Sequence, residues 1–350
     1  MSLEAFGWDH FFSLQLSADE RDFAVPARVV AVHRASLVVT DGVDEYDVAL
    51  GSNWFRGPTE LRPTVGDWVL LGGGRDKVVR LLDRKSVFKR YAAGSKREIQ
   101  LIAANIDTLF VVTSCNDEFN ENRLVRYLAL AREMEITAVV VITKRDLSNK
   151  SHQYVERARK VSGNSVIECI DARDADTLEG VRLWTTEGQT VALVGSSGVG
   201  KSTLLNTLAG DQVQRTEAIR EDDSRGRHTT SHRSIHRIEQ GALVMDVPGI
   251  RELALADAAE GVASAFEDVE TLAARCRFVD CEHQTEPGCA VQSAISEGQL
   301  EPERLQQFRK LWREEARNSA SLSERRDTER RTTQRMRRLA KERERTSHDE

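Results

Sequence analysis

Long apolar runs are missing from this 350-residue chain. No stretch approaches the roughly 18 consecutive apolar residues a membrane-crossing helix needs. Met1 to Glu20 is polar, with no basic start followed by an apolar core, so no secretory leader is expected and the chain reads as soluble and cytoplasmic. An excess of one charge is also missing. With 50 Lys+Arg against 56 Asp+Glu the net charge is -6, which excludes a globally basic nucleic-acid binder and confines any RNA or DNA contact to local patches. Cysteine is scarce. Of five, Cys115 and Cys169 stand alone, while Cys276, Cys281 and Cys289 gather around His283, a pattern that suits a metal better than a disulfide framework. The length itself suggests about two or three domains.

What is present falls into three textures. From Phe23 to about Arg90, short β-branched runs (Arg28 to Val32, Ser36 to Thr40, Tyr46 to Leu50, Asp67 to Leu71, Lys77 to Leu82) alternate with turn signals, predicting a small all-β barrel. Asp41-Gly42 and Gly72-Gly73-Gly74 suit its hairpins more than a ligand loop. From Ile106 the grammar becomes βαβ: Leu109 to Val112, a helix over Glu121 to Glu133, Ala138 to Ile142, Ser165 to Cys169, Val191 to Val194, a helix from Lys201 to Leu208 closed by Gly210, and Leu243 to Met245. Beyond Phe266 come the Cys/His cluster and a charged helical stretch from about Pro302 to Arg345.

Gly195-Ser196-Ser197-Gly198-Val199-Gly200-Lys201-Ser202 satisfies G-x-x-x-x-G-K-[ST] between a buried strand and a helix. Its backbone N–H groups and the helix N-terminus suit a β-phosphate, Lys201 the β/γ-phosphates, and the Ser202 hydroxyl one position on Mg²⁺. Thr143-Lys144-Arg145-Asp146 ends another buried strand. The Asp146 carboxylate there can accept from guanine N1 and the exocyclic amine together, which adenine cannot match. In isolation the same tetrapeptide is an exposed charged turn. Asp246-Val247-Pro248-Gly249 follows the strand Leu243 to Met245: Asp246 can hold Mg²⁺ through water and the Gly249 N–H can reach a γ-phosphate, although Asp-x-Pro-Gly is also a common turn. Between these lies a polar stretch from about Gln212 to Ser234 containing Arg225-Gly226-Arg227-His228-Thr229-Thr230, a candidate switch whose Thr hydroxyl could complete the Mg²⁺ shell when triphosphate is bound.

Cys276-x4-Cys281-x-His283-x5-Cys289 offers three thiolates and an imidazole, enough for one closed, structural Zn²⁺ site, with Glu286-Pro287-Gly288 turning Cys289 back. Because the segment is short and poor in apolar residues, metal binding is expected to supply its folding free energy.

The base reader precedes the phosphate loop in the chain, the reverse of the usual order. With Val65-Gly66-Asp67-Trp68-Val69, Ile102-Ala103-Ala104-Asn105-Ile106-Asp107 and Gly226-Arg227-His228-Thr229-Thr230, that order resembles the circularly permuted GTPases of the ribosome small subunit-dependent family, the RsgA-type proteins, over roughly residues 20 to 320. The resemblance implies an α/β P-loop GTPase flanked by an N-terminal OB-fold barrel and a C-terminal α-helical zinc-binding domain. It implies boundaries at 1–20 (extension), 21–91 (OB-fold), 92–262 (GTPase), 263–320 (zinc) and 321–350 (basic tail). It implies a GTP hydrolase, monomeric and free of membranes, that binds GTP/GDP and the small ribosomal subunit through 16S rRNA, assists late maturation of that subunit and is stimulated by it. Carried over residue by residue, Thr143 to Asp146 match the base reader, Asp171-Ala172 the last guanine-contacting loop, and Gly195 to Ser202, with Thr203 beside them, the phosphate loop. Thr229 and Thr230 match the first switch, and Asp246 to Gly249 the second. Thr143 stands where Asn is more common and Asp171 where Ser is usual, departures that bear on affinity rather than on guanine preference.

Gly249 is followed by Ile250, which cannot orient water by hydrogen bonding. His228, with Lys201 and Thr230, is therefore the catalytic expectation: docking on RNA orders the switch and brings His228 toward the water, although a phosphate or RNA-backbone contact is an equal reading of that histidine. RNA contacts are expected from the barrel, from Arg84-Lys85, Lys89-Arg90 and Lys96-Arg97, and from the tail, where ten Lys/Arg face five Asp/Glu between Ser323 and Arg345. Two alternatives stay open: an RNA-binding scaffold in which nucleotide only sets conformation, and an ATP-dependent kinase or transporter-type ATPase built on the same loop.

Overall fold

The computed structural model describes residues 2–33, 35–91, 99–210, 234–246 and 259–316. Two short helices, α1 (His10–Ser13) and α2 (Ala18–Phe23), precede five strands: β1 (Val25–Val32), β2 (Ser36–Thr40), β3 (Glu45–Ala49), β4 (Trp68–Leu71) and β5 (Val78–Leu81). These pair antiparallel in the order β3-β2-β1-β4-β5, and a parallel bridge between Ala49 and Lys77 joins the two ends, so the sheet closes as the expected barrel. Period-two alternation fills it. Ala27, Val29, Leu37, Val39, Val48, Val69 and Leu71 face inward. Trp68 and Leu70 point the other way yet are equally buried, because the N-terminal segment covers them: Phe12 joins their cluster and the Trp8 ring meets Trp68 edge-on at 4.8 Å. The Gly72 turn connects β4 to β5, as its composition predicts.

The hairpin β6 (Val87–Tyr91) and β7 (Ile99–Ala104) forms a separate two-stranded sheet rather than another barrel strand. It leads into the junction. Gly66, at φ +89°, lies so close to the Ala104 carbonyl that a Cβ would come within 2.1 Å of it, which explains why Val65-Gly66-Asp67 needs glycine. Asn105 donates to the Gly66 carbonyl at 2.9 Å. Arg28, 1% exposed, reaches from β1 to the carbonyls of Phe6 and Asn105 and to Thr190 Oγ1, tying barrel, extension and α/β layer together.

The α/β layer follows in the order β8 (Thr108–Ser114), α3 (Glu121–Glu133), β9 (Thr137–Thr143), α4 (Ser151–Ser162), β10 (Val166–Cys169), α5 (Glu179–Arg182), β11 (Thr190–Val194), α6 (Lys201–Ala209), β12 (Ser234–Arg237) and β13 (Leu243–Asp246). In space the strands run β10-β9-β8-β11-β13-β12, parallel except for β12. β8 is buried at every position, as a strand covered on both faces must be. Asn120 caps α3 through Arg123 N–H, and Leu124, Val125, Tyr127, Leu128 and Ala131 bury one side of the helix. β12 was not evident in the sequence, where its residues border the polar switch stretch. It pairs with β13 and, through Ser234 and Ala31, with β1, so barrel and α/β strands share one sheet.

A second compact unit begins at Ala254. Its described helices are α7 (Ala259–Ala265), α8 (Glu267–Ala273), α9 (Ala290–Ser296) and α10 (302–316). Val262, Phe266, Val269, Val291, Leu305, Phe308 and Leu311 are all buried in it. The first part of the charged stretch is thus a core helix: Leu305, Phe308 and Leu311 are buried three residues apart, while Lys310 is exposed and Arg309 donates to the Glu282 and His283 carbonyls. Among the described residues no helix is long and apolar enough to cross a membrane.

Candidate nucleotide site and metal centre

The carboxyl ends of β11, β8 and β9 bring the phosphate loop and the base-reading turn side by side. Gly195, Gly198 and Gly200 take φ of +148°, +78° and +94°, conformations that side chains resist, and a Cβ on Gly195 would lie 2.2 Å from the Val112 carbonyl. Val199 turns inward at 1% exposure, while Ser197 and Gly198 face out. Lys201 opens α6 and folds its ammonium back over the loop, donating to the Gly195 and Ser196 carbonyls at 2.9 and 2.6 Å. Ser202 and Thr203 occupy the exposed first turn of the same helix.

Thr143, fully buried at the end of β9, does the work of a buttress. Its hydroxyl lies within hydrogen-bond reach of the Val199 carbonyl, at 2.5 Å, and the Thr113 carbonyl, at 3.1 Å, linking the phosphate loop to the neighbouring strand. Lys144 then adopts a left-handed φ of +58°, a sharp reversal that starts the 3-10 turn Arg145–Leu147 and sets Asp146 on it. The Arg145 N–H donates to the Ile170 carbonyl at 3.1 Å, fastening this turn to the loop after β10.

In that loop Asp171 accepts from the Arg173 backbone N–H at 3.0 Å and from Arg173 Nε and Nη2, both at 3.1 Å, while the same Nη2 reaches Asp146 Oδ2 at 2.5 Å. The hydrogen bonds from Arg173 hold the Asp171 carboxyl below its ordinary range. Asp171 in turn raises the Arg173 guanidinium. Ala172 is buried, and its carbonyl accepts from Thr207 Oγ1 on α6 at 2.6 Å, so the base loop is anchored to the helix that follows the phosphate loop. Arg173 did not stand out in the sequence, although an Arg two residues after a strand-end Asp is the pattern that could have marked it.

Asp246 ends β13, beside β11. His228, Thr229, Thr230 and Gly249 lie outside the described residues, as do Lys96-Arg97 and the tail beyond 316. Two of the expected RNA-facing charges are committed internally. Arg84 grips the fully buried Asp67 with two bonds of 2.7 Å, and Lys85 pairs with Asp9.

In the second unit, the sulfurs of Cys276, Cys281 and Cys289 and a ring nitrogen of His283 lie within 4.8 Å of one another, so the four could hold a metal ion. The Cys276 and Cys289 sulfurs are 3.8 Å apart, and each is 3.5 Å from His283 Nδ1. His283 has φ +58°, and the Gln292 amide donates to its carbonyl. Burial, then the Arg309 guanidinium, lowers the His283 pKa and favours the neutral ring that a metal requires. Cys289 Sγ also caps α9, accepting from Gln292 N–H.

Phosphate loop, central parallel sheet and a base-reading turn that precedes the loop in the chain define a circularly permuted P-loop GTPase fold. The model of the RsgA GTPase family matches residues 81–256. A second model, ABC transporter, matches residues 178–336, a span that includes the phosphate loop. Among curated proteins the chain is 47% identical to small ribosomal subunit biogenesis GTPase RsgA 2 of Vibrio vulnificus, covering 93% of this chain and 91% of that one. It is 44% identical to small ribosomal subunit biogenesis GTPase RsgA of Mesorhizobium japonicum, covering 91% of each. The crystal structure of YjeQ from Thermotoga maritima superposes with a TM-score of 0.62 at 24% identity, over 83% of this chain and 98% of that one. That of YloQ, a circularly permuted GTPase, gives 0.57 at 22%, over 82% and 93%. The chain belongs to the RsgA GTPase family, and it is a GTP hydrolase.

Proposed function

We propose that this protein binds the small ribosomal subunit through 16S rRNA, assists its late maturation in the cytoplasm, and hydrolyses GTP when the subunit stimulates it. The observation that carries the reading is the joining of Thr143, Asp146 and the Gly195–Lys201 loop into one site, on a chain whose relatives are named for biogenesis of that subunit. Asp146 reads the guanine edge, with Thr143, Lys144, Arg145, Asp171 and Ala172 around the base. Gly195 to Thr203 hold the phosphates. Mg²⁺, with GTP, would be held by Ser202, Thr230 and, through water, Asp246, and would neutralise charge on the β- and γ-oxygens. The Gly249 N–H and Thr229 would respond to the γ-phosphate.

The Cys/His cluster fits one structural zinc. Tetrahedral Zn²⁺ with about 2.3 Å to sulfur and about 2.0–2.1 Å to nitrogen needs edges of about 3.8 Å between sulfurs and about 3.5 Å from sulfur to nitrogen. The distances among Cys276, Cys289 and His283 are 3.8 and 3.5 Å, and Cys281 supplies the fourth ligand. Four protein ligands leave no open position for catalysis. The domains would then be the extension 1–20, OB-fold 21–91, GTPase 92–262, zinc domain 263–320 and basic tail 321–350, acting as a monomer. In sequence order the second switch at Gly249 is followed by the zinc domain, an order that would couple nucleotide state to an RNA-docking domain.

His228 orients or receives a proton from the attacking water once RNA orders the switch. His228→Ala should abolish stimulated turnover with nucleotide binding intact, and unchanged stimulation would remove His228 from the mechanism. Competition of GTP against ATP for the purified protein separates this function from a transporter-type ATPase, since ATP of equal potency is incompatible with a base-reading Asp146.

A further inference from the structure

We propose that Asp171 and Arg173 form an orienting pair for the guanine-reading carboxylate of Asp146, with Arg173 the positioning residue. The inference rests on Asp146 reading the base. Two carboxylates at the mouth of one base pocket repel, and Asp171 places a second one beside Asp146, within reach of the same guanidinium nitrogen. The geometry resolves the conflict. The Arg173 guanidinium lies in the Asp171 carboxylate as a two-pronged fork, and the remaining hydrogen of Nη2 is directed to Asp146 Oδ2. Of the roughly four lone-pair sites on Asp146, this contact uses one, leaving capacity on both oxygens for the N1–H and amine of a guanine. The carboxylate is therefore fixed in rotation without being blocked.

Arg173 is 65% exposed at its side chain, so a free-standing ion pair there would be weak. Its loop, however, is braced. Its own N–H closes onto Asp171 Oδ1, Thr177 Oγ1 donates to the Asp171 carbonyl at 2.8 Å, and Thr207 on α6 donates to the Ala172 carbonyl at 2.6 Å. Ordering the guanidinium is then less costly, because the backbone beneath it is already fixed.

The pairing makes a non-additive prediction. Arg173→Ala leaves Asp171 unpaired beside Asp146 and should weaken GDP binding about three- to tenfold, while the preference for GDP over inosine diphosphate, which lacks the exocyclic amine, shrinks. The double variant Asp171→Ser with Arg173→Ala removes the stray charge but does not restore the contact to Asp146, so it should recover part of the affinity while the preference for GDP stays reduced. Titration of full-length wild type, R173A, D171S and the double variant with fluorescent GDP and with inosine diphosphate reads this directly. Tighter or unchanged GDP binding in R173A overturns the proposal, and so does full recovery of the GDP preference in the double variant, which would leave Arg173 no role beyond neutralising Asp171. Asp146→Asn, tested with xanthosine diphosphate, keeps the underlying reading separate: if it gains no xanthosine affinity, the base-reading assignment itself fails, whatever Arg173 does.

Discussion

Replacing Thr143 by valine removes one hydroxyl from a fully buried position without changing its volume, and it isolates what holds the phosphate loop. That hydroxyl has a single proton and two carbonyl acceptors in reach, on Val199 at 2.5 Å and Thr113 at 3.1 Å. Deleting it takes a donor from the buried Val199 carbonyl, the nearer acceptor, at a cost of about 1–3 kcal/mol. Part of that cost should appear as stability, at roughly 2–4 °C of melting temperature per kcal/mol for a unit of this size. The larger signature should be in nucleotide affinity. The Val199 carbonyl belongs to the same peptide as the Gly200 N–H, which faces the phosphates in the proposed site, and a Cβ on Gly200 would lie 3.2 Å from the Thr143 hydroxyl, so the two move together. Loosening that peptide should weaken GDP binding about tenfold, the equivalent of 1.4 kcal/mol. Thr143→Ser is the control: it keeps the donor and loses a methyl, so it should melt earlier yet bind GDP nearly as wild type. Calorimetric titration with GDP and thermal denaturation of both variants supply the comparison. If valine binds as tightly as threonine, or serine and valine fall together, the hydroxyl is not the buttress.

Gly195→Ala should abolish nucleotide binding, because its Cβ would meet the Val112 carbonyl at 2.2 Å and the backbone φ of +148° disfavours any side chain; equilibrium binding of fluorescent GDP checks this. Asp146→Asn should exchange preference for guanosine for preference for xanthosine nucleotides, measured by competition. Chelation should release one zinc per chain and expose Cys276, Cys281 and Cys289 to alkylation, read by mass spectrometry of the labelled peptides, with the α/β layer keeping its nucleotide. Cys115 should stay unlabelled throughout: burial, and after it the neighbouring Cys169, push its thiol up to about 12, so roughly one molecule in ten thousand is thiolate at pH 8.

The elements legible in the sequence were those whose signal is local. The phosphate loop is readable because its glycines, its lysine and the flanking strand and helix all sit within a few residues, and α3 because Asn120 caps a periodic apolar face. Elements set by distant partners were not. The residues of α10 look like charged tail because Leu305, Phe308 and Leu311 are diluted by polar and charged neighbours, and only the packing of the Phe308 ring on Phe266, 5.4 Å between centroids, shows what the helix covers. Arg84 resembles one of a run of surface cations until the buried carboxylate of Asp67 is seen to hold it. The tie between Arg173 and Asp146 spans 27 positions and has no periodicity to announce it.

Turnover of GTP by the purified full-length protein, with and without small ribosomal subunits, tests the central claim most directly. A low basal rate that rises steeply on adding subunits, and not on adding large subunits, is the predicted result. A rate indifferent to small subunits would contradict it and leave nucleotide as a conformational signal on an RNA-binding scaffold.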